Sequence, residues 1–161
     1  MTSGVTVSEE VKTIYNKMKL VKSDDVEEDR IRIVVCHIVE EIEVEKIFRQ
    51  KDLEDVGDIF KFFQSLLLKD QCRYFLYDCH YQTKEHSRKE DVVLMLWAPD
   101  TATIKPRLKY AASKVALDKT IVGIKHNFQV NDYGDVDRDT FADKLGKDVL
   151  KLEGNPVTPG N

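Results

Sequence analysis

Trp97-Ala98-Pro99-Asp100-Thr101-Ala102-Thr103-Ile104-Lys105-Pro106-Arg107-Leu108-Lys109-Tyr110-Ala111-Ala112-Ser113-Lys114 joins an apolar strand to a long helix-forming segment. The strand, Val92 to Trp97, runs through Ala98-Pro99. Asp100 or Thr103 can serve as the helix N-cap. Pro106 fits only in a first helical turn, where its missing N–H costs nothing. Beyond it Leu108, Ala111, Ala112, Val115 and Ile121 fall at roughly helical spacing and read as the apolar stripe. Lys105, Arg107, Lys109 and Lys114 lie along the exposed side. Cations crowded near a helix N-terminus oppose its dipole, so the segment reads as a contact surface, with an ordinary solvated basic face as the alternative.

The length of 161 residues fits a single domain with a proper core, and 42% hydrophobic with 34% charged residues is the composition of a soluble globular chain. No apolar run approaches a membrane span, and the polar opening residues do not form a signal peptide. Cys36, Cys72 and Cys79 are odd in number and lack framework spacing, which predicts reduced, buried thiols and a cytosolic setting. A net charge of −4 argues against nucleic acid as a partner. Any basic surface must be local.

Outward from the central stretch, residues 1–5 form a flexible arm. Thr6-Val7-Ser8-Glu9 has the form of a capping box, and Val7, Val11, Ile14, Tyr15 and Met18 share one face of a first helix ending near residue 19. An acidic connection from Ser23 to Asp29 leads to strands over Ile31 to Val39 and Glu41 to Phe48. After a polar loop from Lys51 to Asp58, Ile59, Phe62, Phe63, Leu66 and Leu67 follow helical spacing, with Phe62 and Phe63 read as core. Cys72 to Tyr81 reads as a third strand, Thr83 to Asp91 as a charged turn, and Ile124 to Val130 as a fifth strand. Asp137 caps a short helix closed by Gly146. Val149 to Leu152 adds an edge strand, and a tail spans 154–161. The pattern predicts an α+β fold in three α/β/α layers: a mixed sheet flanked by helices, in one domain over 1–161.

No catalytic constellation emerges. Cys79 and His80 are neighbours on a strand and point to opposite faces, so they cannot pair directly. Cys36-His37, Cys72, Cys79-His80 and His86 lack zinc-ligand spacing, and no glycine-rich phosphate loop is present. Neither a metal nor a cofactor is expected.

The strings Trp-Ala-Pro, Lys-Pro-Arg and Lys-Tyr-Ala-Ala-Ser-Lys, followed by Gly123-Ile124-Lys125-His126, resemble the actin-depolymerising factor/cofilin family. Ser3-Gly4-Val5, Cys72-Arg73-Tyr74, Tyr77-Asp78, Leu145-Gly146 and Leu152-Glu153-Gly154 match in the same order, so the resemblance spans nearly the whole chain. It implies a gelsolin-like fold and a non-enzymatic protein that binds actin monomers and filaments, severs filaments and promotes depolymerisation and turnover. Ser3, Gly4, Val5, Lys105, Arg107, Leu108 and Ser113 would touch both forms of actin. Arg88 and Lys89 at the hairpin, with Arg138 and Lys144 on the last helix, would touch filaments only.

The resemblance also implies inhibitory phosphorylation of Ser3 by a kinase, reversed by a phosphatase. Phosphoinositide headgroups at a membrane surface would bind near Lys125 and His126, with His126 pairing with Asp91 and conferring pH dependence. For His126 a core-facing position fits the alternation equally well. The protein would act as a monomer in the cytoplasm and on the cytoskeleton. Nuclear import is not expected, because Asp24-Asp25-Val26-Glu27-Glu28-Asp29-Arg30 stands where relatives carry a lysine-rich stretch. A filament side-binder of the same fold that does not sever, and a small cytosolic thiol enzyme, are the alternatives.

Overall fold

The computed structural model describes residues 4–20, 25–85 and 87–158; Ser3, most of the arm, the start of the acidic connection, His86 and the last three tail residues lie outside them. In chain order the elements are α1 (Glu9–Lys19), β1 (Ile31–Ile38), β2 (Ile42–Arg49), α2 (Ile59–Ser65), β3 (Arg73–Thr83) and β4 (Arg88–Trp97). Then come α3 (Ile104–Thr120), β5 (His126–Val130), α4 (Arg138–Leu145), β6 (Val149–Leu152) and β7 (Asn155–Pro156). The sheet order is β2-β1-β3-β4-β5, with β6 on the far half of β3 and β7 beside β6. All of these strand pairs are antiparallel except β4–β5, and that parallel pair requires the long crossover that α3 provides.

Because side chains alternate along a strand, the sheet has two apolar faces and two core layers. Val34, Cys36, Tyr74, Leu76, Leu94 and Leu96 pack against Val11, Ile14, Tyr15 and Met18 of α1 and Tyr110, Leu117 and Ile121 beneath α3. On the other face Phe75, Tyr77, Cys79, Val93, Met95 and Trp97 meet Phe60 and Phe63 of α2 and Phe141, Ala142 and Leu145 of α4. Trp97 is fully buried, and its indole N–H donates to the Leu68 carbonyl at 2.8 Å.

Several boundaries depart from the sequence reading, each for a local reason. Ser8, not Thr6, caps α1, its hydroxyl accepting from Val11 N. Thr6 is drawn away because its carbonyl accepts from Ile42 N at 2.9 Å and its hydroxyl donates to Glu41. The polar loop after β2 holds a short 3-10 turn, Gln50–Leu53, that buries Leu53. β3 and β4 extend toward each other through Gln82↔Arg88, so the charged turn shrinks to residues 84–87. The expected α4 caps hold: Asp137 accepts from Thr140 N, and the Gly146 N–H closes onto the Ala142 carbonyl.

The rotation of α3 is the main correction. Its buried residues are Tyr110, Ser113 and Leu117, whereas Leu108 is 63% exposed and Val115 41%. Apolar residues occur nearly all round this helix, so spacing alone could not select the core side. Tyr110 selects it. Its hydroxyl accepts from Ile38 N at 3.0 Å, its carbonyl accepts from the Tyr74 hydroxyl at 2.5 Å, and the two rings lie 5.2 Å apart. Thr103 takes the N-cap position without a side-chain bond, while Asp100 pairs instead with Arg107.

Candidate functional site

With Tyr110 turned inward, α3 presents an apolar ridge to solvent. Ile104 and Leu108 are 64% and 63% exposed, and Val115 continues the same face two turns on. Ile104 to Val115 spans roughly 16 Å of helix axis. Exposed Lys105 and Lys109 flank the ridge, and neither has an ion-pair partner among the described residues. Arg107 is tied to Asp100 at 3.2 Å, and Lys114 to Asp118 at 2.9 Å and to Asn127. An exposed apolar stripe with free cations at its rim suits a hydrophobic groove in an acidic partner.

Of the other residues expected on this surface, Gly4 is exposed and takes a left-handed φ of 79°, which glycine adopts without strain. Val5 packs against the core layer that carries α1 and α3. Ser113 does not belong to the surface. It is 1% exposed on the inner side of α3, where the rotation set by Tyr110 places it.

The second predicted group divides. Arg88 and Lys89 are both exposed, but Arg88 stands opposite Gln82 and Lys89 opposite Tyr81, so they project from opposite faces of the sheet. Lys89 shares its face with α4. There Lys144 is exposed, with its ammonium 5.2 Å from the centre of the Phe128 ring. Arg138 is a correction. Its guanidinium bonds Asp58 and the Leu152 carbonyl and lies 5.1 Å from the Phe60 ring centre, fastening α2, α4 and β6 together. It is a structural tie.

His126 faces inward at 7% exposure, and its Nε2 lies 3.0 Å from Asp91 Oδ2. The Tyr81 hydroxyl donates to the same oxygen at 2.5 Å, and Lys125 Nζ is 3.7 Å from it. Burial opposes ionisation of Asp91. Hydrogen bonds from Tyr81 and His126 and the charge of Lys125 outweigh it, holding the carboxyl below the usual carboxylate range. Both readings of His126 are thus realised together: it faces the core and pairs with Asp91. Tyr81 was not foreseen in this group, because the β3–β4 register that brings it to Asp91 is not legible from sequence.

The thiols are inert. Cys36, Cys72 and Cys79 are all buried, and burial pushes the Cys36 thiol up to about 12 and Cys79 well above its ordinary value. Cys79 sits in the core layer that carries α2 and α4, while His80 lies on the opposite face, 3.4 Å from Asp78. Among the described residues no group of three or more His, Cys, Asp or Glu side chains is placed to hold a metal. No described helix is long and apolar enough to cross a membrane.

The fold is shared with solved structures of cofilins and actin depolymerization factors. The structure matches cofilin of Streptomyces griseoflavus at 28% identity and TM-score 0.70, covering 89% of this chain and 100% of that one. Actin depolymerization factor 2 of Plasmodium berghei matches at 24% identity and TM-score 0.73, covering 90% of this chain and 99% of that one. The ADF-like UNC-60A protein of Caenorhabditis elegans matches at 24% identity and TM-score 0.72, over 91% and 96% of the two chains. At the sequence level, residues 4–146 match the family described as cofilin/tropomyosin-type actin-binding protein. With that match over most of its length, the chain belongs to the cofilin family of actin-binding proteins, which bind rather than catalyse.

Proposed function

We propose that this protein binds monomeric and filamentous actin, severs filaments and promotes their depolymerisation and turnover in the cytoplasm, acting as a monomer. The observation that carries this reading is the exposed α3 ridge of Ile104, Leu108 and Val115 with Lys105 and Lys109 beside it. A helix face of this kind docks in a groove, the leucine as anchor and the cations steering toward acidic rims. Lys89 and Lys144 supply a second contact on the neighbouring filament subunit, joined from the other sheet face by Arg88. A protein that bridges two subunits stabilises whichever relative orientation it fits best, and the strained longitudinal contact then breaks. Imaging of single labelled filaments tests this. Frequent breaks at sub-stoichiometric decoration are expected, and decoration without breakage would favour a side-binder.

The two surfaces are separable. Lys89→Ala with Lys144→Ala is expected to leave monomer affinity within twofold while filament binding falls about tenfold. Equal losses for both forms in parallel monomer-binding and co-sedimentation assays would refute the division.

Regulation follows from charge. A phosphoryl group on Ser3, the residue before Gly4 in the sequence, adds about −1.5 to −2 charges and three strong acceptors, which would repel an acidic partner. Ser3→Glu is expected to weaken monomer binding at least about fivefold with an unchanged melting temperature, and Ser3→Ala to bind normally but resist the inhibiting kinase. Stoichiometric phospho-Ser3 with undiminished binding would end this assignment.

Phosphoinositides engage Lys125, whose ammonium Asp91 partly holds. His126 is bonded to the same Asp91 oxygen and competes with Lys125 for it, which leaves the ammonium available to a phosphorylated headgroup. Lys125→Ala is expected to weaken binding to phosphoinositide vesicles about threefold or more, and His126→Ala to weaken it less, by letting Asp91 hold Lys125 more fully. Unchanged vesicle binding in both variants would reject the role.

A further inference from the structure

Thr6-Val7-Ser8-Glu9 has the sequence of a capping box, yet the box does not form. Ser8 caps α1, Glu9 pairs with Lys12 at 3.1 Å, and the Thr6 hydroxyl crosses to the Glu41 carboxylate, 35 residues away, at 2.8 Å. The backbone makes the same crossing. The Thr6 carbonyl accepts from Ile42 N at 2.9 Å, and Ser8 N donates to the Ile42 carbonyl at 3.0 Å. Thr6 is thus fastened to the β1–β2 hairpin, and directly ahead of it stand Gly4 and Val5, the described part of the arm.

The same hairpin is also fastened to α3. Ile38 N donates to the Tyr110 hydroxyl at 3.0 Å, and Val39 N closes the turn onto the Glu41 carbonyl at 3.1 Å. Glu41 is therefore held by its backbone to the turn that α3 grips, while its carboxylate holds the arm. This short turn links the two elements that carry the actin-facing surface. The side chains of the tie are not core: Thr6 is exposed and Glu41 half-buried. On charge alone Glu41 is misplaced, because a carboxylate at the root of the arm opposes an acidic partner. Its use is as an acceptor, and an ionised acceptor makes the stronger hydrogen bond.

We propose that Glu41 is a positioning residue for monomer binding: through Thr6 it holds the arm in the orientation that α3 sets, so that both meet actin together. This rests on the reading of the arm and α3 as one actin-binding surface. A partner that needs both must order a loose arm, and its apparent Kd rises as the fraction of chains with the arm already placed falls. Positioning and simple charge predict opposite signs. As a surface charge only, Glu41 would oppose the partner, and Glu41→Ala would tighten binding. As a positioning residue, its loss weakens binding.

The test measures binding to monomeric actin by titration calorimetry, beside NMR relaxation of the backbone amides of the full chain without actin. Glu41→Ala and Thr6→Val are each expected to raise the Kd about three- to tenfold at an unchanged melting temperature, and to loosen the Gly4 and Val5 amides on the nanosecond scale. The double variant is expected to bind no more weakly than either single one, because both remove the same bond. Glu41→Gln keeps an acceptor and Thr6→Ser a donor, and both are expected to stay within about twofold of the parent. Glu41→Ala that binds monomers as tightly as the parent, or more tightly, would overturn the proposal, as would unchanged Gly4 and Val5 amides in both variants. A parent chain that binds no monomer overturns the actin reading itself, and amide relaxation then decides alone whether Glu41 holds the arm.

Discussion

Leu108→Asp is expected to abolish detectable binding to both monomeric and filamentous actin while leaving the melting temperature unchanged. Leu108 is 63% exposed and belongs to neither core layer, so its replacement removes no buried contact of the fold. Surface changes of that kind usually stay within about 0.5 kcal/mol of the parent stability. At an interface the same side chain has the character of an anchor: apolar, central in the ridge, and ringed by cations that exclude water once docked. Truncating such an anchor costs at least about 2 kcal/mol, roughly 30-fold in Kd, and a carboxylate forced into the vacated groove adds its desolvation. Lys105→Ala is expected to cost less, because an exposed rim charge acts mainly on association rate and salt dependence. Arg107→Ala also breaks the Asp100 pair, so its effect is mixed. A folded Leu108→Asp protein that co-sediments with filaments as well as the parent would remove α3 from the binding surface.

That prediction rests on a feature the sequence half disclosed. Pro106, the run of cations and the Trp-Ala-Pro junction located α3 and marked it as a contact element, and the family resemblance put Leu108 among the residues that touch actin. The same reading assigned Leu108 and Val115 to the apolar stripe and Ser113 to the partner. A helix with apolar residues on several sides gives no periodic signal of its rotation; that is fixed by Tyr110 meeting Ile38 and Tyr74, contacts far apart in sequence. Strand alternation was more informative. It separated Cys79 from His80 correctly, and it equally places Arg88 and Lys89 on opposite faces, which their adjacency as a basic pair had obscured. Charge type alone did not distinguish Arg138, bound to Asp58, from exposed Lys144.

Nothing in the sequence pointed to the buried ion pair that helps to secure the C-terminal strands. Leu152-Glu153-Gly154 was legible only as a matching motif, yet Glu153 is the one described non-glycine residue with positive φ, at 50°. Its N–H donates to the His80 carbonyl at 2.8 Å, which turns the chain so that its carboxylate enters the protein. There Arg32 Nη2 reaches both oxygens at 2.6 and 2.5 Å, and the Tyr77 hydroxyl donates at 2.5 Å. The two charged side chains are only 2% and 3% exposed. Glu153→Gln is therefore expected to destabilise the fold strongly, because it strands a guanidinium in a poorly solvated site. Removing one partner of a buried pair costs about 3–5 kcal/mol. The lower end applies here, since Arg32 keeps its bonds to the Asp78 carbonyl at 3.1 Å and to Gln50 at 2.7 Å. For a domain of this size that is a drop of roughly 6–12 °C in melting temperature. Arg32→Met combined with Glu153→Gln is expected to recover part of the loss, because no uncompensated charge then remains. Differential scanning calorimetry of the two variants decides the matter. A single variant that melts within about 3 °C of the parent, or a double variant less stable than Glu153→Gln alone, would mean that Arg32 is satisfied without its carboxylate.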